Sequence, residues 1–119
     1  MLDDFTPVDT VDALQIIDRA EGDGDVVQAG DTVTVDYTGA IAASGHIFQS
    51  SKDFGKPITF GLDQVIKGWT DGIPGMKVGG TRRLIIPAVQ AYGSTPPYGS
   101  GIPADAPLVF DVTLHAIEK

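Results

Sequence analysis

The stretch GGTRRLIIP at residues 79–87, followed by AYG at residues 91–93, is the most informative part of this sequence. Its run of leucine and isoleucine predicts a buried strand over residues 81–87. Pro87 ends that strand because proline lacks the backbone N–H that continued pairing needs. Tyr92 then opens a loop over residues 88–106 that is rich in proline and glycine. A connection of this length within a compact domain indicates a functional loop.

Other strands are predicted from alternating apolar residues. The clearest runs from Thr32 to Ile41, where Val33, Val35 and Tyr37 share one face. We expect that face, and with it the tyrosine ring, to point inward. The alternation repeats in a last strand that begins at Leu108, and shorter strands are predicted over residues 12–19, around residues 47–48 and over residues 58–60.

One short helix is predicted over residues 64–71, and it carries the only tryptophan of the chain, Trp69. Asp63 is the predicted N-cap and Gly72 the predicted C-terminal cap. Val65 and Trp69 are four residues apart, which places them on one face of such a helix.

About six strands and one short helix predict an α+β fold, with one sheet face covered by the helix and the other largely solvated. Residues 11–119 are expected to form this single domain. Residues 1–10 are acidic and contain a proline, so we expect a flexible N-terminal arm there.

Composition limits the classes of partner. The chain has 119 residues and a formal net charge of −8, and it lacks the clustered cations that nucleic acid or an anionic membrane would require. No apolar run approaches the roughly 20 residues of a membrane span. The N-terminus lacks the charged and apolar regions of a signal peptide, so a cytoplasmic location is expected. No exposed hydrophobic stripe demands association, and we expect a monomer.

The sequence gives no sign of cofactor or metal chemistry. Cysteine is absent, which excludes disulfides and thiolate ligands. There is no phosphate-binding loop, and the acidic turn around Asp23 lacks the spacing of a calcium loop. His46 and His115 have no second ligand at a metal-binding spacing, so both are interpreted as surface residues. We therefore expect no cofactor and no metal.

Four ordered segments resemble the FKBP-type peptidyl-prolyl cis-trans isomerases, in their minimal, bacterial-like, single-domain form. They are VDYTG at 35–39, VIKGW at 65–69, the 79–93 stretch described above, and LVFDV at 108–112. The resemblance runs from about residue 25 to the C-terminus. It implies an antiparallel, curved sheet of five to six strands wrapped around one short helix. It also implies catalysis of X-Pro isomerisation in protein folding, without covalent chemistry.

The resemblance further implies an apolar pocket for the proline ring. Trp69 would form its floor, while the backbone N–H of Ile66 and the hydroxyl of Tyr92 would donate to substrate carbonyls. The other residues implied to contact substrate, as walls or loop tip, are Tyr37, Phe48, Ile58, Val65, Ile102 and Phe110.

Two positions depart from the family pattern. Gln49 stands where the family usually has an aspartate that bonds the tyrosine aligned with Tyr37, and Ile58 stands where an aromatic residue is common. Glutamine still donates and accepts hydrogen bonds, but it has no charge and is one carbon longer. By resemblance, the catalytic group comprises Tyr37, Gln49, Ile66 and Tyr92.

The implied partners are X-Pro peptides and unfolded proteins, together with tacrolimus or rapamycin as ligands. One alternative is a weakly active or inactive proline-peptide binding module or folding helper, because binding and catalysis use the same pocket walls. Another is a structural adaptor, which would need a large exposed apolar patch outside the pocket.

Overall fold

The computed structural model describes residues 2, 5–97 and 99–118. Within this part of the chain, six strands form one antiparallel sheet and one short α-helix packs on it. The strands are β1 (Gln15–Ala20), β2 (Thr32–Ile41), β3 (Ile47–Ser50), β4 (Ile58–Gly61), β5 (Thr81–Ile86) and β6 (Leu108–Glu118); the helix is α1 (Lys67–Gly72), and two 3₁₀ turns lie at Ser51–Phe54 and Ala88–Gln90. The predicted α+β class, with an antiparallel sheet and one short helix, is confirmed.

The strand order of the sheet is β1-β5-β6-β2-β3, and β4 pairs with β2 outside this path. β6 therefore lies between β5 and β2, and it pairs with β2 along the whole length of β2. The opposite edge of β2 is shared by two short strands. β4 pairs with its first half, through Val35, and β3 pairs with its second half, from Thr38.

The alternation on β2 and β6 builds the core as predicted. Val33 and Val35 are fully buried and Tyr37 is 6% exposed. On β6 the inward residues Phe110 and Val112 are buried in the same cluster, and α1 covers this face of the sheet with Trp69. The helix is thus positioned directly over the strands that carry the predicted pocket residues.

The predicted start of the helix is wrong by three residues. Gln64 N donates to Gly61 O at 3.0 Å, so residues 61–64 form a turn, and the first helical residue is Lys67. The N-cap position is Ile66, which provides no side-chain cap, and Gly72 is the last helical residue. The threonine Thr70 holds the helix against that turn, because its hydroxyl donates to Leu62 O at 2.6 Å.

A buried arginine fixes the other end of the helix. Arg82 of β5 is 8% exposed, and its guanidinium donates to Asp18 on β1 at 2.6 and 3.3 Å. The same group donates to the main-chain oxygens of Gly72 and Pro74 at 2.8 and 3.2 Å. These bonds satisfy carbonyls that the helix end leaves without partners. α1 is therefore hydrogen-bonded to the turn that precedes it through Thr70, and to β5 through Arg82.

The N-terminal segment packs on the outer face of the sheet. Leu2 and Phe5 are buried in a second apolar cluster that includes Val109, and the guanidinium of Arg83 lies 5.6 Å from the Phe5 ring centroid. The predicted flexible arm over residues 1–10 did not anticipate this burial; positions 1, 3 and 4 of that arm lie outside the described residues. The sheet face opposite α1 carries apolar residues such as Val109, and Leu2 and Phe5 are buried against them.

Candidate active site

A cavity of about 450 Å³ opens beside α1, where side chains from four strands, two loop segments and the helix converge. Its residues come from β2, β3, β4, the segment before α1, α1 itself, the loop after β5, and β6. They are Tyr37, Gln49, Phe60, Gln64, Val65, Ile66, Trp69, Tyr92 and Phe110. A volume of this size suits a small ligand or a few residues of a peptide.

Trp69 forms the floor of this cavity and is 4% exposed. Three aromatic rings meet it edge to face, with centroid distances of 5.4 Å to Tyr37, 5.2 Å to Phe60 and 5.3 Å to Phe110. Such pairs add about 0.5–1.5 kcal/mol each beyond the burial of their area. The indole Nε1 is buried and has no hydrogen-bond partner among the described residues. Trp69 is therefore enclosed by three aromatic rings, and the four rings together form an aromatic box.

Two glycines allow these rings to come together. A Cβ at Gly39 of β2 would lie 2.6 Å from Phe110 Cε1 and 2.8 Å from Phe48 Cζ, so the missing side chain leaves room for both rings. A Cβ at Gly68 would lie 2.6 Å from Ile86 Cδ1. Only glycine at position 68 lets α1 lie directly against β5.

Two tyrosine hydroxyls and one main-chain N–H provide hydrogen-bond donors to the cavity. Burial raises the pKa of the Tyr37 hydroxyl, with smaller contributions from Tyr92 and Asp53, and burial also raises the pKa of Tyr92. Both hydroxyls stay protonated at neutral pH, and neither bonds to another group within the described residues. The N–H of Ile66 likewise has no acceptor there, since it precedes the first turn of α1.

None of the residues that line the cavity carries a charge at neutral pH. The site can therefore bind a ligand whose apolar ring lies on the aromatic floor. The hydroxyl and amide donors can then form hydrogen bonds with carbonyl groups of that ligand. No three histidine, cysteine or acidic side chains of the described chain lie together as metal ligands would. None of the described helices has the length and apolar character needed to cross a lipid bilayer.

The structure brings most of the predicted site residues together. Seven of them line this cavity: Tyr37, Gln49, Val65, Ile66, Trp69, Tyr92 and Phe110. Phe48 and Ile102 instead line a second cavity of about 370 Å³, which shares Gln49 and Tyr92 with the first. The Phe48 ring also contacts Phe110 edge to face at 5.8 Å. The two cavities thus form one continuous surface around Tyr92.

Ile58 lines neither of these two cavities. Ile58 is the first residue of β4 and pairs there with Val35, and its side chain packs against the hydrophobic core next to the cavities. The aromatic wall comes from Phe60, which was not predicted. Ile58 and Phe60 are two residues apart on one strand and so share a face, and this spacing could have identified the phenylalanine. Gln64 was also missed, because it was interpreted as the first residue of the helix.

Gln49 lies beside Tyr37 in the cavity, but no hydrogen bond joins their side chains within the described part of the chain. The bond that the family aspartate makes to this tyrosine is therefore not reproduced by the glutamine. The hydroxyl of Tyr37 remains free to donate into the cavity.

The family model of the FKBP-type peptidyl-prolyl cis-trans isomerases matches residues 24–115. The chain is 47% identical to an FK506-binding protein of Streptomyces anulatus, over 87% of this chain and 86% of that protein. It is also 47% identical to the FKBP-type isomerase FkpA of Aeromonas hydrophila, over 92% of this chain but only 40% of that longer protein. A peptidyl-prolyl cis-trans isomerase structure from Pseudomonas syringae superposes with a TM-score of 0.80 at 34% identity, covering 94% of this chain and 80% of that one.

Proposed function

The chain belongs to the FKBP-type peptidyl-prolyl cis-trans isomerase family, and we propose that the cavity over Trp69 is where it accelerates rotation about X-Pro bonds. One observation supports this assignment above the others. An uncharged box of four aromatic rings, Tyr37, Phe60, Trp69 and Phe110, is lined by donors that have no acceptor among the described residues.

The reaction needs no bond-making chemistry. Rotation about the amide bond is opposed by a resonance barrier of about 18–20 kcal/mol. Amide resonance places negative charge on the carbonyl oxygen, and water stabilises that charge. A dry aromatic cavity removes this solvation and so disfavours the planar ground state relative to the twisted one. Each 1.4 kcal/mol or so of differential stabilisation gives a tenfold gain in rate.

The residue roles follow the geometry. The proline ring lies on the indole of Trp69, and the carbonyls that flank the ring accept hydrogen bonds from Ile66 N–H and the Tyr92 hydroxyl. Tyr37 contributes its ring as a wall of the cavity. Phe48 and Ile102, in the adjoining cavity, contact the residue next to proline, which we expect to be apolar.

Exchange spectroscopy on an X-Pro tetrapeptide tests this proposal. We expect faster cis–trans exchange at catalytic protein concentration, and we expect rapamycin to suppress the acceleration by competing for the cavity. Line broadening of the peptide without acceleration would instead support the proline-binding module and would contradict the assignment of an active site.

Replacing Tyr92 with phenylalanine is expected to reduce turnover modestly. The change removes one donor, and a single hydrogen bond contributes about 0.5–1.5 kcal/mol, so kcat/KM should fall about two- to tenfold. Chemical unfolding should show nearly unchanged stability, because the ring is retained. A loss of folding free energy above about 2 kcal/mol would show that Tyr92 is a core residue instead.

Replacing Gln49 with aspartate is expected to raise the activity. The carboxylate would accept the hydrogen bond of the Tyr37 hydroxyl, which has no acceptor among the described residues, and charge-assisted bonds are about twice as strong as neutral ones. The measurement is kcat/KM for the same tetrapeptide, with Gln28→Asp at an exposed turn as the control for added charge. Unchanged or lower turnover in the position-49 variant would argue against this role of the carboxylate.

The wider cellular role belongs to the same proposal. Unfolded proteins with X-Pro bonds are the proposed clients, because these bonds isomerise in tens to hundreds of seconds without a catalyst. Tacrolimus (FK506) is a proposed ligand, supported by the name of the Streptomyces anulatus relative, and rapamycin is proposed with it from the family resemblance. The cytoplasmic location and the monomeric state stay predictions, to be measured by fractionation and by size-exclusion chromatography with light scattering.

A further inference from the structure

The edge of β2 that faces β3 and β4 has a gap in its pairing. β4 pairs as far as Val35, and β3 begins to pair at Thr38. None of the described strands pairs with Asp36 or Tyr37 on this edge, yet Tyr37 supplies a wall of the active-site cavity. The 3₁₀ turn at Ser51–Phe54 lies across the gap.

Two serine hydroxyls take the place of the missing strand. Tyr37 N–H donates to Ser51 Oγ at 3.0 Å, and Ser50 Oγ donates to Tyr37 O at 3.3 Å. Ser51 is 1% exposed and Ser50 is 7% exposed. Both main-chain groups of Tyr37 on this side are therefore satisfied by buried side chains, as buried backbone groups must be.

Ser51 is anchored in turn by a carboxylate–imidazole contact on the outer face of the sheet. Its hydroxyl donates to Asp36 Oδ1 at 2.7 Å, and Asp36 Oδ2 lies 2.6 Å from Nε2 of His115 on β6. A hydroxyl has one proton. Because Asp36 accepts it, the Ser51 oxygen is left to accept from Tyr37 N–H. The pKa of Asp36 is lowered, first by the Ser51 bond and then by the His115 bond, which keeps the carboxyl an acceptor.

We propose that Ser51 is a positioning residue for the isomerase reaction, which holds Tyr37 against the aromatic floor and is oriented by the Asp36–His115 pair. The inference rests on the proposed function of the cavity. Tyr37 contacts Trp69, Phe60 and Phe110 with its ring. A shift of its main chain therefore changes the shape of the box without removing any group from it.

The proposal links the cavity to the His115 imidazole on the outer face of the sheet through Ser51 and Asp36. His115 is 44% exposed and Asp36 43% exposed at the side chain, so their attraction is partly screened. The charged groups that line the same surface cavity as Asp36 are Lys52 and Asp53 of the 3₁₀ turn and Asp111 of β6.

The first test compares Ser51→Ala with Ser44→Ala. Ser44 Oγ also accepts from a main-chain N–H, that of His46 at 3.1 Å, but in an exposed hairpin turn. We expect kcat/KM for the tetrapeptide to fall about three- to tenfold in the Ser51 variant, measured below its unfolding transition, and to stay unchanged in the control. Equal activity of the two variants would overturn the proposal.

The second test does not depend on activity or on the folding of the Ser51 variant. In ¹⁵N–¹H spectra, the Tyr37 amide resonance should shift between the wild-type chain and His115→Gln, because the histidine is connected to that amide through Asp36 and Ser51. A Tyr37 amide that keeps its wild-type position in His115→Gln refutes the coupling. A wild type that fails to accelerate exchange would contradict the proposed function alone.

Discussion

Replacing Trp69 with alanine is expected to cost about 3–5 kcal/mol of folding free energy and to abolish binding of proline ligands. The indole is 4% exposed, and its removal leaves a cavity between three rings that were packed on it. Those rings lose their shared edge-to-face partner, so the box is expected to collapse in part. The loss therefore falls on stability and on binding together.

Urea unfolding followed by far-UV circular dichroism measures the first effect, because the variant has no tryptophan to report. Calorimetric titration with rapamycin measures the second. Trp69→Phe is the matched control: it keeps a ring on the floor and should retain much of both properties. Undiminished rapamycin affinity in Trp69→Ala would rule out the indole as the floor of the site.

Replacing Gly68 with alanine is expected to lower kcat/KM strongly while lowering the free energy of unfolding only moderately. The new methyl group would lie 2.6 Å from Cδ1 and Cγ2 of Ile86, so α1 must move away from β5. Overpacking of this kind costs about 1–3 kcal/mol, partly offset by the roughly 1 kcal/mol better helix propensity of alanine. Trp69 and Ile66 move with the helix, and a displacement of about 1 Å at a site can lower the rate by up to about a hundredfold.

Gly72→Ala provides the comparison, because a Cβ there would also meet the sheet, 2.8 Å from Leu84 Cδ2. That contact is with the flexible end of a side chain at the far end of α1. We expect a similar loss of stability in chemical unfolding but a smaller loss of kcat/KM. If kcat/KM falls equally in both variants, the loss comes from reduced stability, and the position of α1 against β5 does not determine the isomerisation rate.

Much of this architecture can be predicted from the sequence because apolar residues that alternate along a strand indicate its buried face. Val33, Val35 and Tyr37 face the core as their spacing indicates. The start of α1 could not be predicted in the same way, since Asp63 has the chemistry of an N-cap. The turn that closes between Gly61 and Gln64 depends on local geometry that no periodicity records.

The site was predicted mainly from ordered motifs, and its misses have physical causes. Ile58 lies on the same strand face as Phe60, so only the position of Trp69 decides which of the two reaches the cavity. Ser51 lies beyond the end of β3, and its role appears only when β2, β6 and the 3₁₀ turn meet. Burial of Phe5 likewise depends on a surface assembled from distant strands.

The position of β6 in the middle of the sheet has a consequence for biosynthesis. This strand is the last in the sequence, yet β5 and β2 have no contact as neighbours except through it. Until β6 has been translated, the apolar sides of both strands lack their partner, and such non-local pairing is slow to form. The sheet therefore cannot close during synthesis until β6 is available to pair with both strands.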